Sequence, residues 1–179
     1  RTGLEKLGHD DRTRFLQAQG SLAELKLDLI DATMDASQIA AHVSRLSALG
    51  RAPRVVFVDH LQHMRHERQK SENDAAMYGR AVKLLKETAK ESGATIVLAA
   101  QLNREVERRN PPRPFLADLR DSGTIEEIAS NVAYLWTDEP DSDARTFLLA
   151  KARNSSPFET DLLFFLSKGI FADGRPSKA

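Results

Sequence analysis

The chain has 179 residues, 41% hydrophobic and 29% charged, enough for one soluble domain with a real core. Its 26 basic and 26 acidic residues cancel, so no overall basic field draws in nucleic acid and any such binding falls to local loops. The absence of cysteine excludes disulfides, thiolate metal sites and cysteine nucleophiles, and no apolar run has the length of a membrane span.

The chain opens "RTGLEKLG", without a methionine or a charged-then-apolar leader, which suggests a piece of something longer. Leu4, Leu7, Phe15, Leu16, Leu22 and Leu25 recur at helical spacing and predict short helices broken at Gly8 and Gly20. "LKLDLID" (25–31) alternates as a strand does. "DASQIAAHVSRLSALG" (35–50) predicts a helix capped by Asp35 or Ser37 and ended by Gly50. "VVFVD" (55–59) is a continuous apolar strand of the kind buried on both faces. A long amphipathic helix follows at 71–93, closed by Gly93, and then a second buried strand, "ATIVLAAQ" (94–101). The prolines of "RNPPRP" (109–114) forbid helix. "TIEEIASN" (124–131) predicts a short helix capped by Thr124, and "VAYLW" (132–136) a third buried strand. "TFLLAKAR" (146–153) and "TDLLFFL" (160–166) pair as a hairpin. The expected organisation is a helical segment at 1–25, a core at 26–168 and a flexible tail at 169–179.

Apolar strands alternating with amphipathic helices predict an α/β domain with a mostly parallel sheet flanked by helices. Ligands of such sheets sit beyond the carboxyl ends of the strands. Asp59 and Gln101 both fall there. A carboxylate at that place holds magnesium through water, and a glutamine orients a water or senses a γ-phosphate. The competing reading is that Asp59 merely caps the next turn, and one acid at one strand end is a weak motif.

The order "VVFVDHLQHM", "ATIVLAAQLNREVERR", "RPFLADLRDSGTIEEIASNVAYLWTDE" and "LLAKARNSSPFETDLLF" closely resembles the carboxyl-terminal motor domain of the DnaB family of replicative DNA helicases, over roughly residues 1–168. The resemblance implies a RecA-like core of the phosphate-loop NTPase class. The intact protein it implies is a homohexameric ring that hydrolyses Mg-ATP between subunits and unwinds duplex DNA by moving on single-stranded DNA. It also implies a helicase loader and primase as partners, and a cytoplasmic location at the replisome.

On these motifs, Asp59 looks like the acid that supports Mg2+ through water, and Gln101 like the glutamine that couples the γ-phosphate to DNA-facing loops. Arg120, Asp121 and Gly123 match the channel loop that touches the single-strand backbone. Lys151 and Arg153 match the pair that reaches the neighbouring subunit's ATP. Those two cations alternate on a strand and so share one side, which suits the spread charge of a phosphoryl-transfer transition state. A solvated sheet edge guarded by lysine is the alternative. "RDSG" also reads as an ordinary helix-capping turn. "RHERQKSEND" (65–74) corresponds to a mobile channel loop in the family, and Arg104, Arg108, Arg109 and Arg113 are candidate backbone contacts. His60, His63 and His66 have ligand-like spacing but no further ligand type, and are expected to be structural or solvated. Trp136 is expected in the core.

The main departure is an absence: no G-x-x-x-x-G-K-[ST] phosphate loop occurs in the chain. The resemblance places the strand before that loop between the strands at 94–101 and 132–136, and the glutamate that polarises the attacking water upstream of residue 1. The chain is thus expected to carry the second half of an ATP site and to bind ATP weakly or not at all alone. Smaller departures are His60 after the acid, Asp121 where glutamate is usual, and "NSSPF" where a glycine-containing turn is common. Two other readings stay open: a non-catalytic relative acting in trans on a true helicase, and another RecA-type ATPase of recombination or clock control.

Overall fold

The computed structural model describes residues 8–119 and 123–174. The chain divides into two compact units, Arg1–Ala32 and Thr33–Ala179.

The first unit contains α1 (His9–Ala23), which buries no residue. Gly8 stands at its amino-terminal cap, and the helix runs through Gly20 rather than breaking there; the helical spacing at Leu4 and Leu7 lies outside the described residues. A single interior glycine costs a helix only about 1 kcal/mol relative to alanine. The strand expected at 25–31 does not form: residues 26–31 enter no ladder, and Leu25, Leu27 and Leu29 are exposed. Alternation selects a face, but a strand also needs a ladder to join, and among the described residues this segment joins none.

Among the described residues, the second unit holds two ladders. In one, β1 (Val55–Val58) pairs in parallel with β2 (Thr95–Leu98), Val55 opposite Thr95 and Val58 opposite Leu98. In the other, β3 (Asn131–Trp136), β4 (Ala144–Ala152), β5 (Phe158–Phe165) and β6 (Ile170–Asp173) form an antiparallel meander. β2 and β3 lie in separate ladders, where the resemblance leaves a strand missing. The expected hairpin is β4 and β5, while β6 occupies part of the stretch expected as a flexible tail. Residues 175–179 of that tail lie outside the described residues.

Local chemistry sets the helix ends. Asp35 caps α2 (Ala36–Ala48) in a reciprocal box: its carboxylate accepts from the Gln38 N–H, and Gln38 Oε1 accepts from the Asp35 N–H. Asn73 caps α3 (Asp74–Ser92), and Gly93 closes it in the left-handed conformation, φ 72°. α4 (Gly123–Ile128) starts one residue before the expected helix, so Thr124 lies inside it rather than at its cap. Thr124 instead packs on Gly79 of α3, where an added Cβ would stand 2.6 Å from Thr124 Cγ2. Gly79 is what lets the two helices approach.

One core spans both ladders. Val82 and Leu85 of α3, Leu61, Leu119 and Ile125 join Val132, Tyr134 and Leu148, with Val58, Ile96 and Leu98 packed against them. The expectation of strands buried on both faces is corrected: the opposite faces are open, with Val55, Phe57, Val97 and Leu135 exposed, Phe57 by 76%. Inward and outward residues alternate along β1 and β2 because only one side of the ladder meets the core.

Candidate functional site

Two predicted site residues follow the carboxyl ends of the paired strands β1 and β2. Asp59 directly follows β1 and its side chain is 93% exposed. Gln101 follows β2 and is also exposed. The parallel ladder continues past both strands: the Ala99 N–H donates to the Val58 carbonyl (3.0 Å), and the Leu61 N–H to the Ala99 carbonyl (2.9 Å). The Asp59–His60 peptide is cis.

Two residues that the sequence reading did not assign to the site tie these ends together. Gln62 Oε1 accepts from the Gln101 N–H at 3.0 Å, and the His60 Nε2 lies 3.1 Å from Gln101 Nε2. The other ring nitrogen of His60 faces the acid, Nδ1 being 3.7 Å from Asp59 Oδ1. The sequence signal for this was present as the histidine that departs from the family's motif, but only the fold shows that its partner is 41 residues away.

So exposed a carboxylate would suit a magnesium ion that keeps most of its shell as water and substrate phosphate. It is no protein cage: no group of three or more His, Cys, Asp or Glu that could hold a metal occurs among the described residues. His66 Nε2 lies 2.8 Å from the Leu61 carbonyl oxygen, and its ring meets Tyr78 edge-on.

Lys151 and Arg153 do share one side, as their alternation predicts, and both turn onto the carboxyl end of α4. Lys151 Nζ donates to the Glu126 and Glu127 carbonyls, and Arg153 Nη2 to the Glu127 carbonyl at 3.1 Å. Cations there satisfy carbonyls that the helix leaves without partners and complement its dipole. A register shift between Val132 and Ala133 lies in the β3–β4 pairing just beside Lys151. Of the predicted channel loop, Gly123 opens α4 and is exposed, while Arg120 and Asp121 lie outside the described residues.

The arginines proposed as backbone contacts are largely committed elsewhere. Arg109 grips Asp118 with both terminal nitrogens, at 2.5 and 2.6 Å, and its guanidinium lies over the Phe115 ring. Asp118 is buried and also accepts from the Phe115 N–H at 2.7 Å. The Arg109 hydrogen bonds hold its carboxyl below the usual aspartate range against the opposing effect of burial. Tyr134 donates to the Phe115 carbonyl at 3.1 Å, and burial, with the Asp118 and Glu126 charges, pushes its phenol up to about 12. Arg108 pairs with Glu105, and Arg113 with Glu159 at 2.5 Å. These carboxylates pair with three of the four candidates, Glu105 from within the same short helix and Asp118 and Glu159 brought to them by the fold. In the 65–74 run, Arg68 pairs with Asp74, while Glu72, paired with Arg80, also accepts from the Gln69 N–H.

Residues 1–173 match the family model of the DnaB-like helicase C-terminal domain. The replicative DNA helicase DnaB of Geobacillus stearothermophilus is 32% identical over 178 residues, covering 94% of this chain and 38% of that protein. The replicative DNA helicase DnaC of Bacillus subtilis is 29% identical over 174 residues, covering 92% of this chain and 37% of that one. The chain thus spans well under half the length of these relatives. A solved structure of a DnaB-like replicative helicase and its interactions with primase superposes with a TM-score of 0.87 at 22% identity, over 98% of this chain and 43% of that one. A solved ATPase domain gives 0.86 at 22% identity, over 96% of this chain and 63% of that one. These likenesses in structure fix the RecA-like fold, and with the family match over residues 1–173 the chain belongs to the DnaB-like helicase C-terminal domain family.

Proposed function

We propose that this chain is the carboxyl-terminal part of the motor of a replicative DNA helicase, which unwinds duplex DNA by ATP-driven translocation of a hexameric ring on single-stranded DNA. The observation that carries the reading is the placement of Asp59 and Gln101 beyond the carboxyl ends of adjacent parallel strands, with His60 between them, in a chain of this family. Asp59 supports Mg2+ through water, which neutralises charge on the phosphates of ATP. Gln101 senses the γ-phosphate. Lys151 and Arg153 act in trans on the neighbouring subunit's ATP, and Arg120, Asp121 and Gly123 contact the DNA backbone. Single-strand binding is led by phosphates, with a salt slope of about −0.7 per phosphate neutralised. A loader and primase are the expected partners and the cytoplasmic replisome the expected place.

The chain alone does not hydrolyse ATP on this reading, since the phosphate loop that supplies most of the grip is missing from it. The test is forked-duplex unwinding by the full-length protein with Arg120→Ala. Loss of unwinding supports the helicase reading. Loss of strand exchange, with no unwinding at any stage, points to a recombination ATPase.

A further inference from the structure

The geometry points to His60 as a positioning residue for Gln101: we propose that its imidazole holds the glutamine amide in register with Asp59, so that a change at the acid reaches the glutamine through one ring. The inference rests on the reading of this site as a nucleotide site.

The donor arithmetic fixes the direction of the chain. The Gln101 Nε2 carries only donors, so His60 Nε2, 3.1 Å away, is the acceptor. The ring proton therefore sits on Nδ1, the nitrogen facing Asp59 Oδ1 at 3.7 Å. That distance is an electrostatic orientation rather than a hydrogen bond. Carboxylate, Nδ1–H, Nε2 and amide N–H thus point the same way. Gln62 completes the clamp by accepting the Gln101 main-chain N–H at 3.0 Å, so the glutamine is held at backbone and side chain by two residues of the segment that follows the acid. The His60 side chain is 29% exposed, against 93% for Asp59, so the ring is partly enclosed while the carboxylate stays open to a ligand. A tyrosine or phenylalanine at this position has no ring nitrogen to accept from Gln101.

Two experiments separate this inference from the functional reading beneath it. On the 179-residue chain, long-range proton–nitrogen NMR reads the His60 tautomer and the Gln101 side-chain amide. The expected result is a proton on Nδ1 and a Gln101 amide signal that moves in His60→Phe and returns in His60→Gln, whose amide replaces the lost Nε2. A ring protonated on Nε2, or a Gln101 signal indifferent to His60, overturns the proposal whether or not the protein is an ATPase. On the full-length protein, His60→Phe should lower the DNA-stimulated kcat about tenfold, the weight of one hydrogen bond. The KM for ATP should move less than about twofold, since the lost contact acts on the sensor rather than on ground-state binding. His60→Phe combined with Gln101→Ala should cost no more than Gln101→Ala alone, because one residue acts through the other. Additive losses overturn the proposal. An unmodified protein without DNA-stimulated ATPase defeats the functional reading instead, and the NMR result then still decides the clamp.

Discussion

Lys151 of β4 donates to the main-chain carbonyl of Glu126, 25 residues earlier, at the carboxyl end of α4. The cation expected to reach a neighbour's phosphate is therefore also a cap within its own chain. Removing it frees carbonyls at the last turn, so Lys151→Ala in this chain should speed amide exchange at Ile128 and Ala129 by about tenfold, the worth of one hydrogen bond. The Ala129 N–H bond to the Ile125 carbonyl is the local reporter. Unchanged exchange would mean that the cap carries no weight.

The role in trans proposed for Arg153 calls for mixed subunits. In the full-length protein, Arg153→Ala should lower ATP hydrolysis by about 10³-fold or more, the worth of an arginine finger. Asp59→Asn should be inactive too. Mixing the two inactive proteins should recover part of the activity, because some interfaces then pair an intact Asp59 with an intact Arg153. No recovery would place acid and arginine in the same subunit's site.

Asp118 gives the fold a pH dependence with a definite sign. Its folded carboxyl titrates below the usual aspartate range, through the Arg109 hydrogen bonds first and the Phe115 N–H after them. A depressed carboxyl stabilises the fold above its unfolded pKa, and that stability is lost as pH falls through the folded value. The urea midpoint should therefore be flat near neutrality and fall in the acid range below the ordinary aspartate pKa. Asp118→Asn should reduce that slope and lower stability by about 1.5–3 kcal/mol at neutral pH. Denaturation series at several pH values check both.

Gly79 tests the packing of α3 on α4. Alanine in an exposed helix interior stabilises relative to glycine by about 1 kcal/mol. Here its Cβ would stand 2.6 Å from Thr124 Cγ2, so Gly79→Ala should instead destabilise by about 1–3 kcal/mol. Thr124→Ser deletes that methyl and should recover much of the loss in the double variant. A stabilising Gly79→Ala would show that the helices part easily.

Much of the fold was legible because its signals are local. The box at Asp35, the left-handed Gly93 and the apolar runs of β1, β2 and β3 are written within a few residues. The failures share a cause. "LKLDLID" alternates as a strand but joins no ladder among the described residues, and β1 and β2 read as doubly buried although only one side meets the core. Both depend on neighbours that no local pattern reports. In the site, Asp59 and Gln101 could be read from their places at strand ends. The His60 and Gln62 contacts to Gln101 span 41 and 39 residues, and Arg109 is taken up by a carboxylate that only the fold returns to it.

The chain by itself should give no heat of binding with Mg-ATP at millimolar concentration, since no phosphate loop is present to hold the triphosphate. Tight binding in calorimetry would mean that another set of residues grips the phosphates.

The helicase reading is tested most directly by ATP hydrolysis of the full-length protein with and without single-stranded DNA, alongside Asp59→Asn. Hydrolysis should be accelerated by DNA and should fall by about 100-fold or more in Asp59→Asn, since the proposed role of the acid is to support a metal that would neutralise the transferring phosphoryl group. An unmodified protein that hydrolyses no ATP, or an Asp59→Asn variant as active as the original, would contradict that reading.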